Sequence, residues 1–425
     1  MMFGSILHHF VQLFKIFSVT IVIFFVAIIA ATPFAKMYIK NNPDIMMSKA
    51  DRINQNTRST RENLIPEDKI TEWYDLSSPD ELQQMYEERF GAGAEFESYT
   101  HFRSRVVPGQ YHGATNDGYR LVKNNGPWPL EPDNYNIFFF GGSTSFGVGP
   151  YWATVASYLQ EILDKKKVLD KKVYVYNFGR SGYQSTQEMI LLNLLISRGH
   201  IPDAVIFLDG LNDFCFTDGQ PSSWQLLARH FNNSNSLYQK RAAGYGVATD
   251  WNSARKFLVS LPAVELVSQV LTHIFESPDP KYLGPRDRVR SESRNREPGP
   301  PMDVIHEVIS RYLANTRQIS AIGDAFGFQT LFVWQPIPTY KYDQNHHLFY
   351  PDQIGCHTGS RDGYPVMKQD YKFDQLGPNY IWIADMQEQY EENVYIDAFH
   401  YTAPMSRNIA EKITEIAILN NLLEK

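Results

Sequence analysis

An α/β fold with a mainly parallel sheet, carried behind an N-terminal transmembrane helix, is what this sequence predicts, and three observations predict it. From Tyr135 onward, short apolar runs alternate with stretches of helical periodicity, the pattern of strands joined by crossover helices. Phe138–Gly149 reads Phe-Phe-Phe-Gly-Gly-Ser-Thr-Ser-Phe-Gly-Val-Gly. This is a buried strand that ends on a glycine-flanked serine, at the sheet edge where open α/β folds place their ligands. Ile16–Ala35 holds no charged residue. At about 1.5 Å per residue such a helix spans the roughly 30 Å hydrocarbon core of a bilayer.

The anchor comes first in the chain. A cleaved signal peptide would need small residues at the last and third-last positions before the cut. Cutting after Ala35 places Pro33 there, and cutting after Ala31 places Ile29, so a retained anchor over residues 1–40 is expected. Lys15 precedes the span, while Lys36, Lys40, Lys49 and Arg52 follow it. The positive-inside rule alone would hold the large domain in the cytoplasm, yet long domains translocate largely regardless of charge. An extracytoplasmic domain on a single-pass anchor is the expectation. The two cysteines, Cys215 and Cys356, would form one disulfide in an exported protein or stand as two thiols.

Residues 41–134 read as a polar juxtamembrane stalk, helical at Ser78–Arg89, followed by an irregular lead-in over Tyr111–Asp133. The main domain then runs over 135–425. Ile137–Phe140, Val173–Tyr176, Ala204–Leu208 and Thr330–Trp334 are short apolar runs, as strands buried on both faces require, and Asn393–Ile396 reads as a fifth strand. Helices are expected over Tyr151–Lys165, with Val155, Tyr158, Leu159, Ile162 and Leu163 on one face, and over Gln187–Ser197. Two more are expected over Asp303–Gly323, with Ile305, Val308, Ile309, Tyr312 and Ile319 aligned, and over Pro404–Leu419. Two connections, at about 214–302 and 339–389, are too long for ordinary loops. Both leave C-terminal strand ends, so they are read as a partial cap, with Ser277–Pro301 as its linker.

Composition narrows the function. With 43% hydrophobic and 14% aromatic residues, the chain has material for a large core and is not globally disordered. A net charge of −7 and a pI near 6.0 argue against a nucleic-acid partner, which usually calls for a basic stripe.

Four short blocks carry the chemistry: Gly141-Gly142-Ser143, Asn177–Gly182, Asp209–Asp213 and Asp397-Ala398-Phe399-His400. A serine hydroxyl is a weak nucleophile until a base takes its proton. His400 has an acid three residues before it that can reach one ring nitrogen while the other faces Ser143, the Ser-His-Asp logic. Ser143 lies outside a Gly-x-Ser-x-Gly elbow, since Ser145 follows two residues on, and no Walker loop follows. The strand before it and the helix after it place it at a helix N-terminus, where N–H groups favour developing negative charge. His346 and His347 read as loop residues or incidental metal ligands. No zinc-type spacing of Cys and His occurs, and neither a metal nor a cofactor is expected.

These blocks, in this order, resemble those of the SGNH hydrolases, the GDSL esterase/lipase superfamily. The resemblance covers about Tyr135–Lys425 without the two long connections. It implies a flavodoxin-like, three-layer α/β/α fold with a mainly parallel five-stranded sheet. Ser143 would be the nucleophile, His400 the base and Asp397 its orienter. The oxyanion hole would be formed by the N–H of Ser143, the N–H of Gly182 (with Gly179 as the fallback) and the side-chain amide of Asn212 in Gly210-Leu211-Asn212-Asp213. Gly142 departs from the usual Asp of the first block, a Gly-Gly-Ser-Thr variant that many relatives share. The implied activity is that of a membrane-anchored serine esterase or O-acyltransferase acting on an acyl ester, with cell-envelope glycans or lipids suggested by location. The alternative is a catalytically inactive envelope protein that reuses the fold to bind a glycan.

Overall fold

The computed structural model describes residues 64–167, 169–220, 299–349 and 357–423. The expected anchor at Ile16–Ala35 and most of the 214–302 connection lie outside them. Among the described residues no helix is long and apolar enough to cross a membrane.

Five parallel strands form the centre: β3 (Tyr135–Gly141), β4 (Val173–Asn177), β5 (Ala204–Asp209), β6 (Gln329–Trp334) and β7 (Tyr380–Trp382), in the order β4-β3-β5-β6-β7. Counted from the first strand of the sheet, this is the 2-1-3-4-5 order of a flavodoxin-like fold. Every residue of β3 and β5 is buried, because helices cover both faces. Alternation sorts the side chains. Ile137, Phe139, Ile206 and Val333 pack on one side with α4 (Val155–Lys166) and α8 (Ala403–Leu419). Phe138, Phe140, Phe207 and Trp334 pack on the other with α5 (Ser185–Ser197) and α6 (Met302–Phe326). Each fully buried aliphatic or phenyl side chain contributes roughly 1.5–3 kcal/mol relative to exposure. The Val/Phe-rich strands therefore hold the site's scaffold.

The fifth strand differs from expectation. It is Tyr380–Trp382, which pairs with β6 through Phe332–Trp334, so part of the 339–389 segment belongs to the sheet. That segment also carries α7 (Thr358–Gln369). Val394, Tyr395 and Ile396 form a short apolar run like a strand's because all three are buried in the core, yet this stretch makes only a single bridge, Tyr395 to Tyr401.

Nor is the segment 64–104 a stalk. It holds α1 (Glu67–Trp73), α2 (Pro79–Gly91) and the hairpin of β1 (Ala94–Glu97) and β2 (His101–Ser104). Ile65, Ile70, Tyr74, Leu82 and Met85 sit in the same core as α4 and α8. The helices show charged outer faces, and these dominate the composition and hide the buried stripe. The Ser78 hydroxyl caps α2 by accepting from the N–H of Glu81, with Pro79 at the first helical position, where a missing N–H costs nothing. The hairpin is fixed to the sheet by the Arg180–Glu97 ion pair, by Tyr183 donating to the Phe102 carbonyl at 3.1 Å and by Gln187 donating to the Thr100 carbonyl at 2.9 Å.

Candidate active site

β3 ends at Gly141, whose φ of +143° suits glycine and where a Cβ would overlap Ser145 and the Leu208 carbonyl. The chain then makes a single helical turn, α3 (Ser143–Phe146). The longer helix expected after Ser143 starts only at Val155. Ser143 therefore has the free N–H groups of one turn behind it rather than a full helix. Block two is tied to the same turn. The Asn177 amide donates to the Ser145 carbonyl at 3.0 Å, and the Arg180 N–H donates to the Gly141 carbonyl at 2.9 Å.

The fourth block lies just before α8. Thr402 caps that helix, its hydroxyl accepting from the Met405 N–H. Two backbone bonds, Ile396 N–H to the His400 carbonyl at 2.8 Å and Thr402 N–H to the Val394 carbonyl at 3.0 Å, close the loop Asp397–His400. Inside it the Asp397 carboxylate accepts from the N–H groups of Phe399 at 3.1 Å and His400 at 2.9 Å, and from His400 Nδ1 at 2.7 Å. With the ring proton on Nδ1, the Nε2 lone pair faces the Ser143 hydroxyl at 2.8 Å. Asp397 is buried and His400 keeps one side open. The arrangement can remove the serine proton and hold the resulting imidazolium.

Gly182 takes φ +74°, a turn conformation that favours glycine. Asn212 Nδ2 donates one of its two hydrogens to the Tyr183 carbonyl at 2.7 Å, which leaves the second for a ligand. Among the described residues the N–H groups of Ser143 and Gly182 donate to no carbonyl. Gly142 explains its departure from the first-block pattern, since a Cβ there would overlap Asn212 Nδ2. Gly142→Ala is accordingly expected to push the Asn212 amide off its position and slow acyl transfer by about 10²-fold, the scale of a lost oxyanion donor, with the thermal midpoint little changed. A wild-type rate in purified Gly142→Ala would mean that Asn212 is not where the charge develops.

Behind Asn212 three carboxyl groups are buried: Glu188 on α5, Asp209 at the end of β5, and Asp213. Asp213 accepts from the Ser185 hydroxyl at 2.6 Å, and Asn315 donates to that hydroxyl at 3.0 Å. Burial raises all three above the ordinary carboxylate range, and neighbouring carboxylates add to it at Glu188 and Asp209, which reaches about 8. The folded state then holds protons that the unfolded chain has released, so the contribution of these three groups to stability is full at acid pH and falls as pH rises towards 8. Asp209→Asn is expected to flatten that fall in urea midpoints taken at successive pH values. An unchanged slope would show that these groups titrate alike in both states. Among the described residues no cluster of His, Cys, Asp or Glu has the arrangement to hold a metal ion.

Sequence reasoning passed over two supports. His347 is buried and stacks on Tyr395 at 4.9 Å. Its Nδ1 accepts from the Phe349 N–H at 3.1 Å, so Nε2 carries the proton and donates to the Ala398 carbonyl at 3.2 Å, inside the catalytic loop. Burial lowers its pKa to about 4. His357, on the other side, lies edge-on to Phe399 at 4.7 Å. No motif marks either one. Cys215 is disulfide-bonded, and the chain's other cysteine, Cys356, lies outside the described residues.

No protein-family model matches the chain, and no curated protein matches it. Among solved structures it is similar to the lipase Lip_vut3 from a goat rumen metagenome, at 12% identity over 67% of this chain and 98% of that one, with a TM-score of 0.36. It is also similar to a carbohydrate acetylesterase family member from Sinorhizobium meliloti, at 12% over 67% and 98%, TM-score 0.30. A third is a member of the lipolytic protein G-D-S-L family from Veillonella parvula, at 12% over 66% and 96%, TM-score 0.30. The chain resembles the SGNH hydrolases in its blocks and its strand order. At such low identities and scores, its chemistry has to be read from its own residues.

Proposed function

We propose that the protein is a serine esterase that works through an acyl-enzyme on Ser143. The observation that carries this reading is the 2.8 Å contact between His400 Nε2 and the Ser143 hydroxyl, with Asp397 on the other ring nitrogen. A non-catalytic glycan binder has no physical need of that contact. His400 takes the Ser143 proton as the oxygen attacks the ester carbonyl. The oxyanion is held by the N–H groups of Ser143 and Gly182 and by the free Asn212 hydrogen. His400 protonates the leaving alcohol, and the acyl group stays on Ser143. Water, activated by the same histidine, then releases the acid. A second alcohol in place of water would give transfer, and a site shielded from water would favour that outcome.

A retained N-terminal helix would hold this chemistry at a membrane, on the extracytoplasmic side, and glycan or lipid esters are the substrates within its reach. The test is to incubate the full chain with an acetylated aryl ester and a sugar acceptor, and to quantify free acetate against acetylated sugar. Acetate release above the Ser143→Ala background supports the esterase, and acetylated sugar supports transfer. Neither product, across acetyl to longer acyl donors, would count against the reading.

A further inference from the structure

The Ser143–His400 contact joins two loops from opposite ends of the domain's sequence, and neither loop touches the other's backbone through a strand. The geometry points to Gln335 as the residue that sets their spacing. This inference rests on the esterase reading above and adds a positioning residue to it.

Gln335 follows β6 and is buried. Its main chain is fixed on both sides: its N–H donates to the Asp209 carbonyl at 3.0 Å, and its carbonyl accepts from the Tyr364 hydroxyl at 3.0 Å. The side chain points across the C-terminal edge of the sheet. Its Oε1 accepts from the Thr144 hydroxyl at 2.8 Å and from the Tyr401 hydroxyl at 2.9 Å. Thr144 is the residue after the nucleophile, and Tyr401 is the residue after the base. Tyr401 has one proton and also reaches the Pro336 carbonyl at 2.6 Å, so it is held to the end of β6 by two neighbouring acceptors. One amide oxygen thus links the chain neighbours of both reacting side chains, inside a buried region.

The chemical consequence is specific. Proton transfer needs His400 Nε2 within hydrogen-bond reach of the serine oxygen, and a displacement of about 1 Å from productive geometry can cost about 100-fold in rate. Gln335 and Thr144 are both buried and present little surface to a substrate. Loss of the bridge should therefore act on the acylation step and spare affinity.

The test is the second-order labelling of the full chain by a fluorophosphonate probe, resolved into a binding constant and a maximal rate, on Gln335→Met, Thr144→Val, Tyr401→Phe and the double variant Gln335→Met/Thr144→Val. Methionine keeps the volume of Gln335 and removes its hydrogen-bonding oxygen. The expected result is a maximal labelling rate at least tenfold slower in Gln335→Met and Thr144→Val, with the binding constant within about twofold. The double variant should be no slower than the worse single one, since the same link is cut twice. Labelling of the folded variants at the wild-type rate, or single effects that multiply in the double variant, would overturn the inference. A purely structural role would lower the melting temperature and leave the rate of the folded fraction unchanged. Should Gln335→Met not fold, Thr144→Val and Tyr401→Phe cut the same bridge from its ends and decide the matter. An unlabelled wild type would instead overturn the esterase reading itself, so the two failures are distinguishable.

Discussion

Asp397→Asn should lower kcat by about 10⁴-fold while leaving KM within a few-fold of wild type. In the native loop the carboxylate accepts from His400 Nδ1 at 2.7 Å and from two backbone N–H groups. It therefore dictates that the ring proton sits on Nδ1 and that Nε2 offers a lone pair to Ser143. An asparagine fits the same space, but its amide can present an N–H to Nδ1. The ring would then carry its proton on Nε2, and Nε2 would donate to the serine instead of accepting from it. The positive imidazolium that forms during attack would also lose its counter-charge. Substrate contacts are untouched, so the effect falls on kcat. Steady-state kinetics on an aryl ester checks this, and a kcat within tenfold of wild type would remove Asp397 from the mechanism.

Arg120→Met should destabilise the fold by about 3–5 kcal/mol, the cost of leaving several buried carbonyls without a donor. Arg120 is 1% exposed, and among the described residues it pairs with no carboxylate. Its guanidinium is surrounded by carbonyls: His112 at 2.7 Å, Gly147 at 3.0 Å, Gly149 at 2.7 Å and Phe146. The carbon of the guanidinium lies 4.5 Å from the centre of the Phe146 ring. Phe146 and Gly147 end the single turn that begins at Ser143, so this fork of donors ties the nucleophile turn to the lead-in segment. Removing it leaves several buried carbonyls without donors, each worth about 1–3 kcal/mol. Lysine has three donors on one nitrogen and cannot reach carbonyls spread around a planar fork, so Arg120→Lys should recover only part of the loss. Urea denaturation measures both variants. A midpoint close to wild type for Arg120→Met would show that water satisfies those carbonyls.

The parts of the fold legible in the sequence are those whose signal is local. Ile137–Phe140, Val173–Tyr176 and Ala204–Leu208 are runs too apolar for any place but the middle of a covered sheet, and they stand there as β3, β4 and β5. The blocks that meet at the candidate site are legible for the same reason. Asp397 and His400 are three residues apart, and Ser143 sits between glycines needed for close approach. What was not legible depends on distant partners. Thr144 and Gln335 are separated by 191 positions and Tyr401 lies 66 beyond Gln335, so no spacing announces the bridge. The three-residue strand Tyr380–Trp382 is shorter than any useful period, and its aromatic content suited a cap equally well. The integration of 64–104 into the domain was concealed by charged helix faces. No sequence signal marks Arg120, because the burial of an arginine becomes visible only when the carbonyls around it are placed.

The most direct measurement is intact-mass spectrometry of the full chain after treatment with a fluorophosphonate, beside Ser143→Ala treated identically. The expected result is one phosphonyl adduct on the wild type, mapped to the peptide carrying Ser143, and none on the variant. A folded wild type that stays unmodified, or an adduct that persists in Ser143→Ala, would contradict it.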